Sequence, residues 1–119
     1  MIKIPQHTES GRLNDLQRFL EDLDRFQRKV DYWLIELEEF IGEGSIAFEE
    51  LSRGGAKLSP LGFSSLCQCI NQTIDGVFSG FLGDREIIRL MAVDSSYWEI
   101  TASPEFEDIM LNKYGPYIS

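Results

Sequence analysis

LNDLQRFLEDLDRFQRKVDYWLIELEEFI, residues 13–41, is the stretch on which the fold turns, and its apolar residues fall in columns seven apart. Leu16, Leu23, Val30 and Leu37 form one column, and Phe19, Phe26, Trp33 and Phe40 a second. Leu13, Leu20, Leu34 and Ile41 form a third, interrupted by Gln27. On a helix turning about 100° per residue, the three columns make one apolar face about 100° wide. The spacing predicts a single amphipathic helix from Leu13 to Ile41, with Trp33 buried mid-face. Two columns would suit a coiled coil; three suit a helix buried against a sheet or several neighbours. Such a helix is about 43 Å long at ~1.5 Å per residue. A globule of this chain length is only about 35 Å across. The helix must overhang, bend near Gln27 or Asp31, or meet a second chain, so a homodimer is expected.

Working outward, Met1 to Ile4 reads as a short strand or an arm ended by Pro5, and Thr8 or Ser10 supplies the helix cap. Gly42 and Gly44 stop the long helix. Ser45 then caps a short helix, Ile46 to Arg53, closed by Gly54 and Gly55; a weak alternation of Ile46 and Phe48 is the edge-strand alternative. Ser59-Pro60 is a second helix start. Leu61 to Ile74 carries both periods: Leu66, Cys69, Ile70 and Thr73 share a helical face, whereas Leu66, Ile70 and Ile74 alternate with glutamines. The Ser-Pro start favours helix. From Gly76 the period is two, giving strands Val77–Leu82, Glu86–Val93 and Tyr97–Ala102 joined by Gly83-Asp84 and Asp94-Ser95-Ser96. The middle strand is apolar on both faces, so it should be covered at least partly on both. Ser103-Pro104 opens a closing helix that ends at Tyr114 before Gly115. The expected architecture is one α+β domain over residues 1–119. It has a long N-terminal amphipathic helix and shorter helices packed on a three-stranded antiparallel meander, with a closing C-terminal helix.

Twenty acidic against eleven basic side chains leave a formal charge of −9, which argues against a phosphate-binding surface and hence against nucleic acid. No run approaches the ~20 apolar residues of a membrane span, and MIKIPQHTESG lacks a signal peptide's apolar core, so the expectation is a cytoplasmic protein. His7, the single histidine, lies in the N-terminal arm away from any nucleophile motif. Cys67 and Cys69 do not have the Cys-x-x-Cys spacing and read as buried structural residues. Gly76, Gly80 and Gly83 lack the strand–turn–helix context of a phosphate loop. No cofactor, metal or catalytic residue is expected.

Two acidic groupings remain as candidate partner-binding residues. Glu36, Glu39 and Glu43 crowd the C-terminal end of the expected helix, where carboxylates oppose the dipole at a cost of a few tenths of a kcal/mol each. Charge held against local stability points to recognition of a basic partner; the alternative is a solvated face. Asp94, Tyr97 and Glu99 set an aromatic residue between acids at a strand start. In size, acidity and order of elements, the chain resembles small bacterial immunity proteins. That resemblance implies a non-enzymatic acidic domain that binds and neutralises a basic toxin or enzyme. The competing readings are a homodimeric scaffold assembled through the long helix, and a ligand-binding or enzymatic domain with a pocket between helix and sheet.

Overall fold

The computed structural model describes residues 1–8, 10–26, 28–42 and 55–118. Glu43 and the short helix expected over Ile46–Arg53 lie outside them. The elements run β1 (Ile2–Pro5), α1 (Leu16–Arg25), β2 (Tyr32–Gly42), β3 (Ala56–Leu58), α2 (Pro60–Cys69), β4 (Ile70–Leu82), β5 (Arg85–Val93), β6 (Tyr97–Thr101) and α3 (Pro104–Tyr114). The strands form one antiparallel sheet, ordered β1-β6-β5-β4-β2-β3. The class is α+β, but two features of the expected architecture are corrected. There is no long N-terminal helix, and the sheet has six strands among the described residues, not a three-stranded meander.

The stretch 13–41 divides at residues 26–31. Its first half is helical for ordinary reasons: Asp15 caps the start by accepting the Arg18 N–H at 3.2 Å, and Leu16, Phe19 and Leu23 line the buried face. Asp15 takes the capping role expected of Thr8 or Ser10. Phe26 ends the helix by donating to the Asp22 carbonyl at 3.0 Å. From Tyr32 onward Trp33, Ile35 and Leu37 are buried while Leu34, Glu36 and Glu38 are exposed, a strict period of two. Seven residues are nearly two whole turns of a helix but an odd number of steps along a strand, and β2 keeps both Trp33 and Phe40 on the core side only through the register shifts around Glu39. The third column splits: Leu20 packs against the core, whereas Leu34 and Ile41 are exposed.

Leu61–Ile74 is likewise split. Ser59 caps α2 through the Gly62 N–H at 3.0 Å, and the helix runs only to Cys69 before β4 begins at Ile70 with no intervening loop. Helix therefore holds for Pro60–Cys69 and the strand alternative from Ile70 on, but the buried residues are Phe63, Leu66 and Cys67 on the helix and Ile70 and Thr73 on the strand, which is neither of the expected faces. The closing helix spans Pro104–Tyr114, with Ser103 accepting the Phe106 N–H and Gly115 beyond its end.

The three helices among the described residues pack on one face of the sheet. Register across the strands sets Ile2, Ile100, Leu90, Phe78 and Ile35 in one inward row, and Ile4, Trp98, Ala92, Gly76 and Leu37 in the next. Aromatic rings join sheet to helices: Phe19 of α1 meets Trp98 edge-on at 5.2 Å, and Phe63 of α2 lies 4.3 Å from Trp33 and 5.7 Å from Phe78. Trp33 is 2% exposed, as expected, but from a strand. Its indole fits because Gly80 stands opposite. A Cβ at Gly80 would sit 3.2 Å from Trp33 Cη2 and 2.7 Å from Ile88 Cγ2. At the far end, buried Gln6 donates to the Thr73 carbonyl at 2.6 Å, and the Trp98 indole N–H donates to the Asn14 carbonyl at 3.1 Å, fixing the N-terminal strand and loop. The molecule measures 35 × 32 × 20 Å, the thickness of one helix layer on one sheet. β5 is thus covered by helices on one side only among the described residues, not on both.

Candidate functional site

Residues directly paired in an antiparallel ladder point to the same side, so register gives the composition of the open face, the one that no described helix covers. One row reads Lys3, Glu99, Met91, Val77, Glu36 from β1 to β2. The row toward one end reads Thr101, Arg89, Ser79, Leu34, Lys57. Beyond it Tyr32 stacks on Phe81 at 5.0 Å, with the Lys57 ammonium 4.2 Å over the Tyr32 ring. At the opposite end Tyr97 pairs with Val93, and Glu39 with Asp75. A diagonal apolar stripe therefore crosses the face, through Leu34, Val77, Met91 and Val93 to Tyr97. Leu34 is 40% exposed and the next three are half-buried.

Beside this stripe the fold assembles an acidic corner. Glu36 and Glu39 arrive from β2, where register shifts on either side of Glu39 mark an irregular ladder. Asp75 arrives from β4 directly opposite Glu39. Asp94 arrives on the β5–β6 turn, its backbone N–H donating to Asp75 Oδ1 at 2.9 Å. No basic side chain lies within ion-pair distance of these four carboxylates among the described residues. Like charges set directly opposite across a ladder are unfavourable. The corner thus holds charge that its described neighbours do not compensate. The carboxylates are spread rather than convergent; among the described residues no three acidic, histidine or cysteine side chains form a metal-holding group.

The chain matches no protein-family model, no curated protein and no solved structure among those compared.

Of the candidate residues, Glu36, Glu39 and Asp94 come together, although no helix dipole is involved: β2 is a strand. Tyr97 and Glu99 share the face but stand apart from the corner, beyond Val93 and Met91. Lys3 attends both, 3.8 Å from Glu99 and 5.0 Å from the Tyr97 ring centre, and Tyr97 also stacks on Tyr117 at 4.7 Å. Asp75 is the corner residue that is not among those candidates, and β4 runs straight through it. The alternation of Val77, Ser79 and Phe81 with Gly76, Phe78 and Gly80 continues back through Asp75, and that was its signal.

Elsewhere, His7 is exposed and makes no side-chain hydrogen bond to a hydroxyl among the described residues. Cys67 is buried in α2, and that burial, aided by the negative charge of Asp15, pushes its thiol up to about 12. A thiol so held stays protonated and is a poor nucleophile at neutral pH. The space between helices and sheet is filled by the core side chains. The cavities described lie at its rim: one of about 380 Å³ borders α1 and α2, and one of about 580 Å³ borders His7, Ser95 and Tyr117. No helix is long and apolar enough to cross a membrane among the described residues.

Proposed function

We propose that this chain is a cytoplasmic, non-enzymatic, protein-binding domain that receives a basic partner on the open face of its sheet, as an immunity-type inhibitor does in covering a toxin or enzyme. The observation that carries this reading is the uncompensated corner of Glu36, Glu39, Asp75 and Asp94 beside the Leu34–Val77–Met91–Val93 stripe. Lysines and arginines of a partner would relieve the repulsion between Glu39 and Asp75. The stripe supplies apolar area that excludes water around the ionic contacts. Long-range attraction from a chain of charge −9 raises the encounter rate with a basic surface.

The test replaces charge and keeps shape: Glu36→Gln, Glu39→Gln and Asp75→Asn together. The amide oxygen that Asp75→Asn introduces can still accept the Asp94 N–H. The folded variant is expected to be more stable than the parent by about 0.5–1 kcal/mol at low salt, since like charges on neighbouring strands are removed. Parent and variant are immobilised side by side and exposed to host lysate. A basic protein retained by the parent should be lost from the variant, and lost from the parent at high salt. Association of that purified partner should slow about tenfold or more in the variant, with a shallower salt dependence. An unchanged rate and salt slope would overturn the reading and leave the corner a solvated surface.

A further inference from the structure

The helical side of the molecule carries a second feature, independent of the open face. α1 and α2 are joined where Gln17 Nε2 donates to the Cys67 carbonyl at 3.2 Å, and the cavity of about 380 Å³ opens between the last turns of α1 and the first turns of α2. Its floor is apolar, formed by Leu20, Leu23, Val30 and Trp33. A narrower hollow of about 170 Å³ continues it along α1, sharing Leu20, Asp24 and Ser64. At the lip stands Leu61, in the first turn of α2 and 82% exposed. An isolated exposed leucine needs no explanation. One standing beside an apolar cavity that it does not fill is a different matter, because a two-fold axis near it would bring each leucine over the other's cavity.

The rim charges meet the same requirement. Isologous contact places a patch against itself, so a rim of one sign would repel its copy. This rim carries both signs: Asp24 on α1, and Arg28 and Lys29 just after it. Arg28 has no ion-pair partner among the described residues, and Lys29 is held only by Asp31 at 3.7 Å across solvent. Rotation by two-fold symmetry can set Asp24 of each copy against Arg28 and Lys29 of the other.

We propose that the α1–α2 groove is an isologous dimer interface in which Leu61 of each copy enters the cavity of its partner, with Asp24 facing Arg28 and Lys29 around the rim. The long helix on which a homodimer was first expected does not exist; this surface replaces it and leaves the open face free.

Sedimentation equilibrium on the full chain tests it. The parent is expected to pass from the 13.6 kDa chain to twice that mass within a range ending at about 200 µM. Leu61→Asp, at a position this exposed, should leave the circular dichroism spectrum and melting temperature unchanged and raise the dimer dissociation constant at least about tenfold. Asp24→Arg should also weaken association, and Asp24→Arg with Arg28→Asp should restore it, since the exchange keeps the rim self-complementary. A parent that stays a monomer throughout the range overturns the proposal. So does a folded Leu61→Asp chain that dimerises as tightly as the parent, and so does a double exchange no tighter than Asp24→Arg alone.

Discussion

Asp94 and Ser95 form the tip of the β5–β6 hairpin with φ of 49° and 54°, closed by a Ser96 N–H bond to the Val93 carbonyl at 2.9 Å. Consecutive positive φ values suit Asn-Gly and Asp-Gly, because aspartate and asparagine tolerate this region and glycine has no Cβ to collide. Serine at the second position carries a cost of about 1 kcal/mol. Replacing it tests whether that strain is real. Ser95→Gly keeps the backbone N–H that donates to the Ile74 carbonyl at 3.0 Å. Relief of the strain, less the greater freedom of glycine in the unfolded chain, should leave a gain of about 0.5 kcal/mol, or roughly two to three degrees in Tm. Ser95→Ala is the control, since it retains the Cβ. If glycine and alanine variants melt together, the turn is not strained at this residue. The same hairpin explains what sequence shows of the corner and what it hides. Asp94 is visible because it belongs to an obvious turn. Its partnership with Asp75 is not, because 19 residues separate the two and only the β4–β5 register brings them together.

At the scale of elements, legibility depended on whether one period ruled a segment alone. Pro104–Tyr114 has a cap, an N-terminal proline, a glycine stop and no competing alternation, and the helix occupies those residues. In residues 13–41 the apolar content is so high that columns seven apart appear on a helix and a strand alike. The Trp33, Ile35, Leu37 alternation was masked by Leu34, which is apolar although it faces the open side. The β-branched and aromatic residues clustered from Val30 to Ile41 favour a strand, and that preference outweighed the column pattern. The pairing of β2 with β3 across an intervening stretch, and of β1 with β6, is long-range and left no local mark. A sheet so ordered makes an element-scale prediction. β4 is flanked over most of its length by β2 and β5, whereas β3 is three residues at an edge. Backbone amides of Phe78 and Gly80 in β4, and of Leu90 in β5, should exchange with solvent only through global unfolding, while any exchange-protected amide in Ala56–Leu58 opens at much lower free energy. Hydrogen exchange read by NMR decides it. Equal opening free energies for β3 and β4 would mean that the sheet unfolds as one unit and that the edge has no independence.

For the molecule as a whole, the buried carboxylate of the helical layer is compensated, whereas the acidic corner of the open face has no ion-pair partner among the described residues. Buried Asp22 on α1 accepts from Lys113 Nζ and from the Tyr114 hydroxyl, each at 2.5 Å, and so ties α1 to the last turn of α3. Net acidity was legible from composition, and it argued for a basic partner. Which acids stand together follows from the strand register on the sheet face that no described helix covers, and no periodicity announces that. The helical layer has its own titration signature, at alkaline pH. Burial, then the hydrogen bond and charge of Asp22, raise the Tyr114 hydroxyl above its ordinary 10.0. Burial raises the Cys67 thiol from its ordinary 9.0 to about 12. In both groups the folded protein keeps a proton that the unfolded chain releases. Stability then falls with pH once the unfolded group ionises, because fewer protons are bound in the unfolded state than in the folded one. For Cys67 the full contribution is present below pH 9.0 and is lost progressively as pH rises to about 12. The slope approaches about 1.4 kcal/mol per pH unit for one fully linked group. Cys67→Ala isolates this effect: the variant starts less stable because a packed side chain is truncated, but it lacks the thiol's alkaline slope. Urea midpoints measured under reducing conditions from pH 8 to pH 11, about the window of that linkage, should bring the parent curve down toward the variant's. Two curves that stay parallel across the window would show that the thiol titrates alike in folded and unfolded chains, and that α2 does not seal it from water.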